Sequence, residues 1–350
     1  MSSGRGRMAG HVGRQAEACG RLGSPMYAAL LERVADDVAA DGVCARVLAG
    51  HEDDPGPSGL ALRLMGSVHR LVLERRAGAL ATFYPSVGGS FEADGAWTAF
   101  TALLADQPDA VRQWLDRPPQ TNEVGRATAL MGGLLTLGER VDLPVRLFEI
   151  GSSGGLNLRA EHYAYTDQHG TVFGDPGAPV RLAWEGAPRR PWPGLRVVER
   201  VGSDVMPVDV ASAEGRLALT AYVWADQTGR HERLRGAFAV AGRVAADVRR
   251  EDAVTFVQGL GLAEGHLSVL FHSVMWQYLS RRDQDAVSAR LEDLGAAATP
   301  DRPFARLSLE PRRRTPGAEH EFLVTCRLWP GGEERVLATS AGHSVPTVWE

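Results

Sequence analysis

The sequence predicts an α/β fold. A mostly parallel, doubly wound sheet is closed by a C-terminal antiparallel hairpin and preceded by an all-α N-terminal domain. Three observations carry this. Residues 16–143 keep helical spacing of apolar positions and show no strand signal. From Val145 onward, short apolar runs alternate with helical stretches, as successive βα units require. Near the end, residues 321–328 and 335–339 read as strands joined by Trp329-Pro330-Gly331-Gly332, a hairpin turn. With 350 residues, 44% hydrophobic and 23% charged, the chain can bury a core in each part.

Taken in order, residues 1–15 (MSSGRGRMAGHVGRQ) hold arginines but no following apolar core of a signal peptide. A disordered tail is expected there. Residues 16–143 form the expected helical cap domain. Within it, Leu30, Leu31, Val34 and Val38 repeat at helical spacing, and residues 51–59 (HEDDPGPSG) make a loop. Residues 60–81 form a second helix, broken near Gly78. His69 lies in it and is read as a satisfied core histidine rather than a ligand. Thr121 or Asn122 caps a helix running to Arg140, with Glu123 in the favourable first turn.

Residues 144–350 form the sheet domain. Pro144 opens a strand (VRLFEI). Residues 160–195 alternate and carry glycines and prolines, which reads as a hairpin-like insertion. Strands follow at 195–201, just before Glu251, at 267–271, and at 304–309. Helices at 212–224, 228–244, 254–262 and 281–294 separate them.

Composition narrows the function. Net charge is −5, with no footprint for nucleic acid, and Arg312-Arg313-Arg314 reads as a solvated loop. No apolar run approaches the ~20 residues of a membrane span. Cys19, Cys44 and Cys326 are scattered and odd in number, which suits a reducing, cytoplasmic setting. Histidines and acids show no metal-ligand spacing, so no metal is expected.

The chemistry gathers around residues 145–158. Glu149 ends the strand, Gly151, Ser153 and Gly155 shape a tight turn, and Asn157 follows. Such turns let backbone approach a ligand closely. A carboxylate this near would disfavour a pyrophosphate and welcome a ribose or a cationic amino-acid end. Asp204, Asp252 and His272 fall at strand ends on the same edge, where open α/β sheets bind ligands. An acid after the second strand can accept both ribose hydroxyls, and a further acid can accept from an adenine amino group. The plainer reading makes Asp204 a turn residue and Asp252 a helix cap.

Glu149-Ile150-Gly151-Ser152-Ser153-Gly154-Gly155 resembles the first motif of class I S-adenosylmethionine-dependent methyltransferases. Asp204, Asp252 and residues 267–273 resemble that family's ribose acid, adenine-side acid and fourth-strand motif. From about residue 15 the chain also resembles a bacterial family of unknown function, through Thr121–Glu123, Gly155–Asn157, Phe271–Val274 and Trp329–Arg335. The first resemblance implies a Rossmann-like methyltransferase fold with S-adenosylmethionine as cofactor and a small-molecule acceptor. Glu149, Gly151, Ser153, Gly155, Asn157, Asp204 and Asp252 would bind the cofactor. His272 would be the base. Tyr84, Asn122, Glu123 and Arg126 would face the acceptor. There are departures: Ser153 replaces the middle glycine, Asp204 lies far along the chain with Glu185 as a fallback, and no helix separates residues 304–309 from the final strands.

Two other readings stand beside it. One is a non-catalytic binder of an adenosine ligand. The other is a serine hydrolase, because residues 151–155 also fit G-x-S-x-G, with Asp301 and His343 or His320 downstream of Ser153.

Overall fold

The first departure from expectation is the N-terminus. The computed structural model describes residues 4–343 and 345–350, so residues 1–3 of the expected tail lie outside the described residues. Residues 4–15 are not a tail. They belong to helix α1 (Gly4–Arg21), which buries Met8, Val12, Ala16 and Cys19 along one stripe. Five further helices follow: α2 (Pro25–Ala39), α3 (Val43–Val47), α4 (Leu60–Leu73), α5 (Ala93–Asp106) and α6 (Pro108–Arg112). Ser24 caps α2 by accepting from the Tyr27 amide, and Pro25 fits its first turn because that position needs no N–H donor. The break near Gly78 is real. There φ is +53° and a short 3₁₀ turn, Gly78–Phe83, replaces the helix. His69 in α4 is a satisfied core histidine, with Nδ1 3.0 Å from the Ala221 carbonyl and Nε2 2.8 Å from Ser86 Oγ.

The chain divides into two compact units. One holds the residues up to Thr121 together with Ser212–Glu232, and the other holds Asn122–Ala211 and Arg233–Glu350. The division therefore falls at 121/122 rather than at the expected 143/144. The physical reason is α7 (Ala127–Gly138). It is almost wholly buried and packs on the sheet that follows. An added Cβ at Gly132 would overlap the ring of Trp349, so glycine permits that close approach.

The second unit is mixed α/β around an eleven-stranded sheet. Its strands are β1 (Val145–Ile150), β2 (Ala164–Thr166), β3 (Val172–Phe173), β4 (Arg181–Gly186), β5 (Val197–Asp204), β6 (Asp247–Arg250), β7 (Leu267–Ser273), β8 (Phe304–Arg312), β9 (Glu321–Trp329), β10 (Glu334–Ser340) and β11 (Thr347–Trp349). They lie in the order β3-β2-β4-β11-β10-β9-β8-β7-β1-β5-β6. Strands β6, β5, β1, β7 and β8 are all parallel, and β9 and β10 return antiparallel. The expected insertion forms the β2–β3 hairpin and β4, which extend the sheet through β11. Helices α8 (Ala213–Ala221) and α9 (Thr228–Ala241) follow β5, and α10 (Ala253–Gln258) and α11 (Arg281–Ala297) flank β7.

From β1 the chain first builds outward to β5 and β6, then returns to place β7 and β8 on the other side. Strand order therefore reverses between β1 and β7, the point where open α/β sheets form a ligand crevice at their carboxyl ends. One face carries Phe148, Ile150 and Leu270 against Phe256 and Val257 of α10 and Val287, Leu291 and Leu294 of α11. Among the described residues, no helix is long and apolar enough to cross a membrane.

Candidate functional site at the carboxyl edge

Beyond β1 the backbone turns sharply. Gly151, Ser153 and Gly155 all take positive φ, at +68°, +53° and +66°. Only glycine adopts this freely, so Ser153 carries backbone strain. A Cβ on Gly151 would sit 3.0 Å from the Met275 side chain, and one on Gly155 would meet Val248 at 2.6 Å.

The turn is held from within. The Ser152 amide donates to the Ser203 carbonyl at 3.0 Å, and the Gly155 amide to the Ser152 carbonyl at 2.7 Å. The Ser153 amide donates to Asp204 Oδ2 at 2.9 Å. Asn122 Oδ1 accepts from both Gly154 (3.1 Å) and Leu156 (3.0 Å). Every amide from Ser152 to Leu156 is thus engaged by the protein. A turn of this kind has no donors left to cradle a phosphate, and recognition falls to acceptor side chains.

Three acids end three neighbouring strands, and the fold treats each differently. Glu149 is 2% exposed, and its Oε2 has no hydrogen-bond partner within the chain. Burial pushes its pKa up to about 8, against the opposing pull of the Arg126 charge and a hydrogen bond from Asn157. Asn157 Oδ1 is likewise buried without a partner. Asp204 ends β5, directly beside β1. Its Oδ1 accepts from the Met206 amide at 2.8 Å while Oδ2 holds Ser153, leaving each oxygen one further lone pair. Asp252 is exposed and caps α10, accepting from the Thr255 amide and hydroxyl at 2.9 and 2.8 Å. Those backbone and hydroxyl bonds hold its carboxyl below the usual range. Its plainer reading as a cap describes the contacts it makes. Glu185 is no alternative to Asp204, because it lies exposed on β4, six strands away from β1.

His272 behaves differently from the expected base. It is fully buried, its Nδ1 lies 2.8 Å from Glu310 Oε1, and its Nε2 accepts from Arg306 Nε at 3.3 Å. Trp276 stacks on the ring at 5.0 Å. Burial pulls its pKa below the usual value, against the opposing pull of Glu310. The imidazole is neutral and has no ring nitrogen left for a substrate proton. Register adds a second reason. His272 pairs with Ile150 and Ser308, whereas Glu149 pairs with Phe271, so the two side chains leave opposite faces of the sheet.

The residues expected on the acceptor side also separate. Tyr84 belongs to the helical unit, where it is fully buried against His69. Asn122 is the clamp on the turn. Glu123 accepts from the Gly125 amide at 3.0 Å, and its carbonyl accepts from Asn157 Nδ2 at 3.4 Å. Arg126 NH1 donates to the Ser273 carbonyl at 2.9 Å, at the end of β7.

Sequence reasoning missed Glu310 and Arg306. Glu310 Oε1 accepts from His272 and from the Met275 and Trp276 amides, while its buried Oε2 has no partner in the chain. Arg159 was missed too. It donates to the carbonyls of Gly155 and Val244 at 2.7 and 2.8 Å, bracing the turn from beneath.

The bacterial family described as "uncharacterized protein conserved in bacteria" (DUF2332) matches residues 10–349. The chain belongs to this family. DUF2332 thus spans both units described above, and the glycine turn, Asn122 and Glu310 all lie within the matched region. No curated protein and no solved structure matches the chain.

Proposed function

We propose that the carboxyl edge of β1 and β5 binds S-adenosylmethionine or S-adenosylhomocysteine, and that the protein transfers a methyl group to a small molecule. One observation carries the reading. A glycine turn whose amides are all internally bonded sits beside Glu149, a buried carboxyl with one oxygen free. Such a turn selects a nucleoside with hydroxyls and a cationic end rather than a nucleotide phosphate. The donor set fits that ligand. Asp204 keeps two lone pairs for ribose hydroxyls, and Glu149 Oε2 and Asn157 Oδ1 are acceptors for an ammonium group. The parallel order β6-β5-β1-β7-β8 with an antiparallel return at β9 supports the same class of fold.

Bound there, the sulfonium would supply an already electrophilic methyl group. The protein's contribution would then be alignment of the acceptor and exclusion of water. His272 contributes no proton transfer, because both of its nitrogens are engaged. That same observation favours a second reading, a binder of an adenosine ligand without turnover. The hydrolase reading is weaker. Its oxyanion hole would use the amide after Ser153, and Asn122 already holds the Gly154 amide.

Calorimetry of the full chain with S-adenosylmethionine and S-adenosylhomocysteine tests the reading. Saturable binding of either supports it. No heat and no thermal shift at millimolar ligand removes it. Methyl transfer from the bound sulfonium separates the enzyme from the binder.

A further inference from the structure

Arg126 ends the short 3₁₀ turn Val124–Arg126 that leads into α7, and its guanidinium reaches the end of β7. Its Nε is buried with no partner, and among the described residues no carboxylate lies within ion-pair distance of it. Other enclosed arginines are matched. Arg63 meets Asp54, Arg70 meets Glu74 and Glu214, and Arg200 meets Glu161. Glu123, Glu310 and Glu149 act on Arg126 only through space. Arg126 stays cationic at any physiological pH, so its desolvation is a standing cost that a ligand's anion would offset.

Tyr278 lies near enough for its charge to act on Arg126. It is 68% exposed, the most exposed large side chain among the described apolar and aromatic residues. The backbone that carries it is rigid at its base. Val274 is held at φ +49°, an uncommon conformation for a β-branched residue, and Glu310 fixes the next two amides. Trp276 in the same turn is packed between His272 and Arg306. A bare ring on a fixed turn, beside a cation without a counter-ion, matches a ligand that joins a ring to an anion.

We propose that the second ligand of this edge, the methyl acceptor in the reading above, is an aromatic carboxylate. Arg126 takes its carboxylate and Tyr278 its ring. The inference rests on that reading for the ligand's role as acceptor, and on Arg126 and Tyr278 alone for its recognition.

Benzoate and phenylacetate serve as probes, titrated into the full chain with and without saturating S-adenosylhomocysteine. Parent protein should bind at least one probe. Arg126→Gln should weaken it tenfold or more and Tyr278→Ala several-fold, with S-adenosylhomocysteine affinity changed less than twofold in both. Arg126→Lys, which keeps the charge but not the fork, should fall between parent and Arg126→Gln. Circular dichroism confirms that each variant is folded, and Tyr278→Ala alters an exposed side chain. Absence of probe binding by the parent overturns the proposal, as does probe binding indifferent to Arg126. Loss of S-adenosylhomocysteine with the probe retained in Arg126→Gln also overturns it, by giving Arg126 to the cofactor's own carboxylate. If the parent binds a probe through Arg126 but neither adenosyl compound, the aromatic carboxylate site stands and the methyl-transfer reading fails.

Discussion

Replacing Glu149 by glutamine should make the protein more stable, and increasingly so as pH rises. Glu149 is buried at the end of β1, and its pKa is pushed from the usual 4.5 to about 8, chiefly by loss of water. In the unfolded chain the same carboxyl ionises near its usual value. Below pH 4.5 it is protonated in both states and has no effect. Between pH 4.5 and about 8 the unfolded state releases the proton and the folded state keeps it. Folding stability therefore falls by ~1.4 kcal/mol for each pH unit in that window. Above about 8 the loss reaches its ceiling, roughly 5 kcal/mol if nothing relaxes. Glutamine has nearly the same shape, never ionises and can still meet Asn157. The assay is urea unfolding of parent and Glu149→Gln from pH 5 to pH 9. All other titrations are shared and cancel in the difference. The two should be close at pH 5, and the variant should lead by about 2–5 kcal/mol at pH 9. A difference that stays flat across this range would refute the argument. It would mean that Glu149 is ionised throughout and that Arg126 compensates it fully.

Three further outcomes follow from the same edge. Asn122→Ala leaves the buried amides of Gly154 and Leu156 without their acceptor, so unfolding free energy should drop by about 2–4 kcal/mol, two losses that are not fully additive. A drop below ~1 kcal/mol on urea unfolding would show that the turn is held by its own backbone. Ser153→Gly relieves the +53° φ, roughly offset by the freer unfolded chain, so stability should change by less than about 1 kcal/mol. Calorimetry should find adenosyl-ligand affinity within about threefold of the parent, under ~1 kcal/mol, whereas a hundredfold loss would assign the hydroxyl to the ligand. His272→Phe keeps the stack with Trp276 but takes the buried ring donor from Glu310, and should cost about 3–5 kcal/mol in chemical unfolding. A variant as stable as the parent that binds cofactor yet fails to turn over would return His272 to catalysis.

The sheet was legible because its central strands are short apolar runs with a glycine turn after the first. VRLFEI and LSVLF need no partner to be recognised as buried strands. Helix α1 was not legible, although Met8, Val12, Ala16 and Cys19 fall on one stripe. Four glycines and four arginines in the eighteen residues Gly4–Arg21 dilute the apolar signal, and only tertiary packing recovers it. β11 is three residues long and gives no periodicity to read. The site divides along the same line. Positions that follow from a strand end, Glu149 and Asp204, were found. Roles that follow from register were not. Glu310 is 38 residues from His272, and only the pairing of β7 with β8 brings them together. Asn122 is 32 residues from Gly154, and its resemblance to a helix cap concealed its work as a clamp. The deepest limit concerns charge. Glu149, Asp204 and Asp252 look alike in sequence, an acid at each of three strand ends. The fold buries the first, bonds the second to two loop amides and leaves the third as an exposed cap. Ionisation follows burial and donors, and neither is a property of spacing along the chain. Glu149 is therefore predominantly a neutral acid at pH 7 while Asp252 is a carboxylate, and a ligand that brings a cation to this edge draws a proton off Glu149 as it binds.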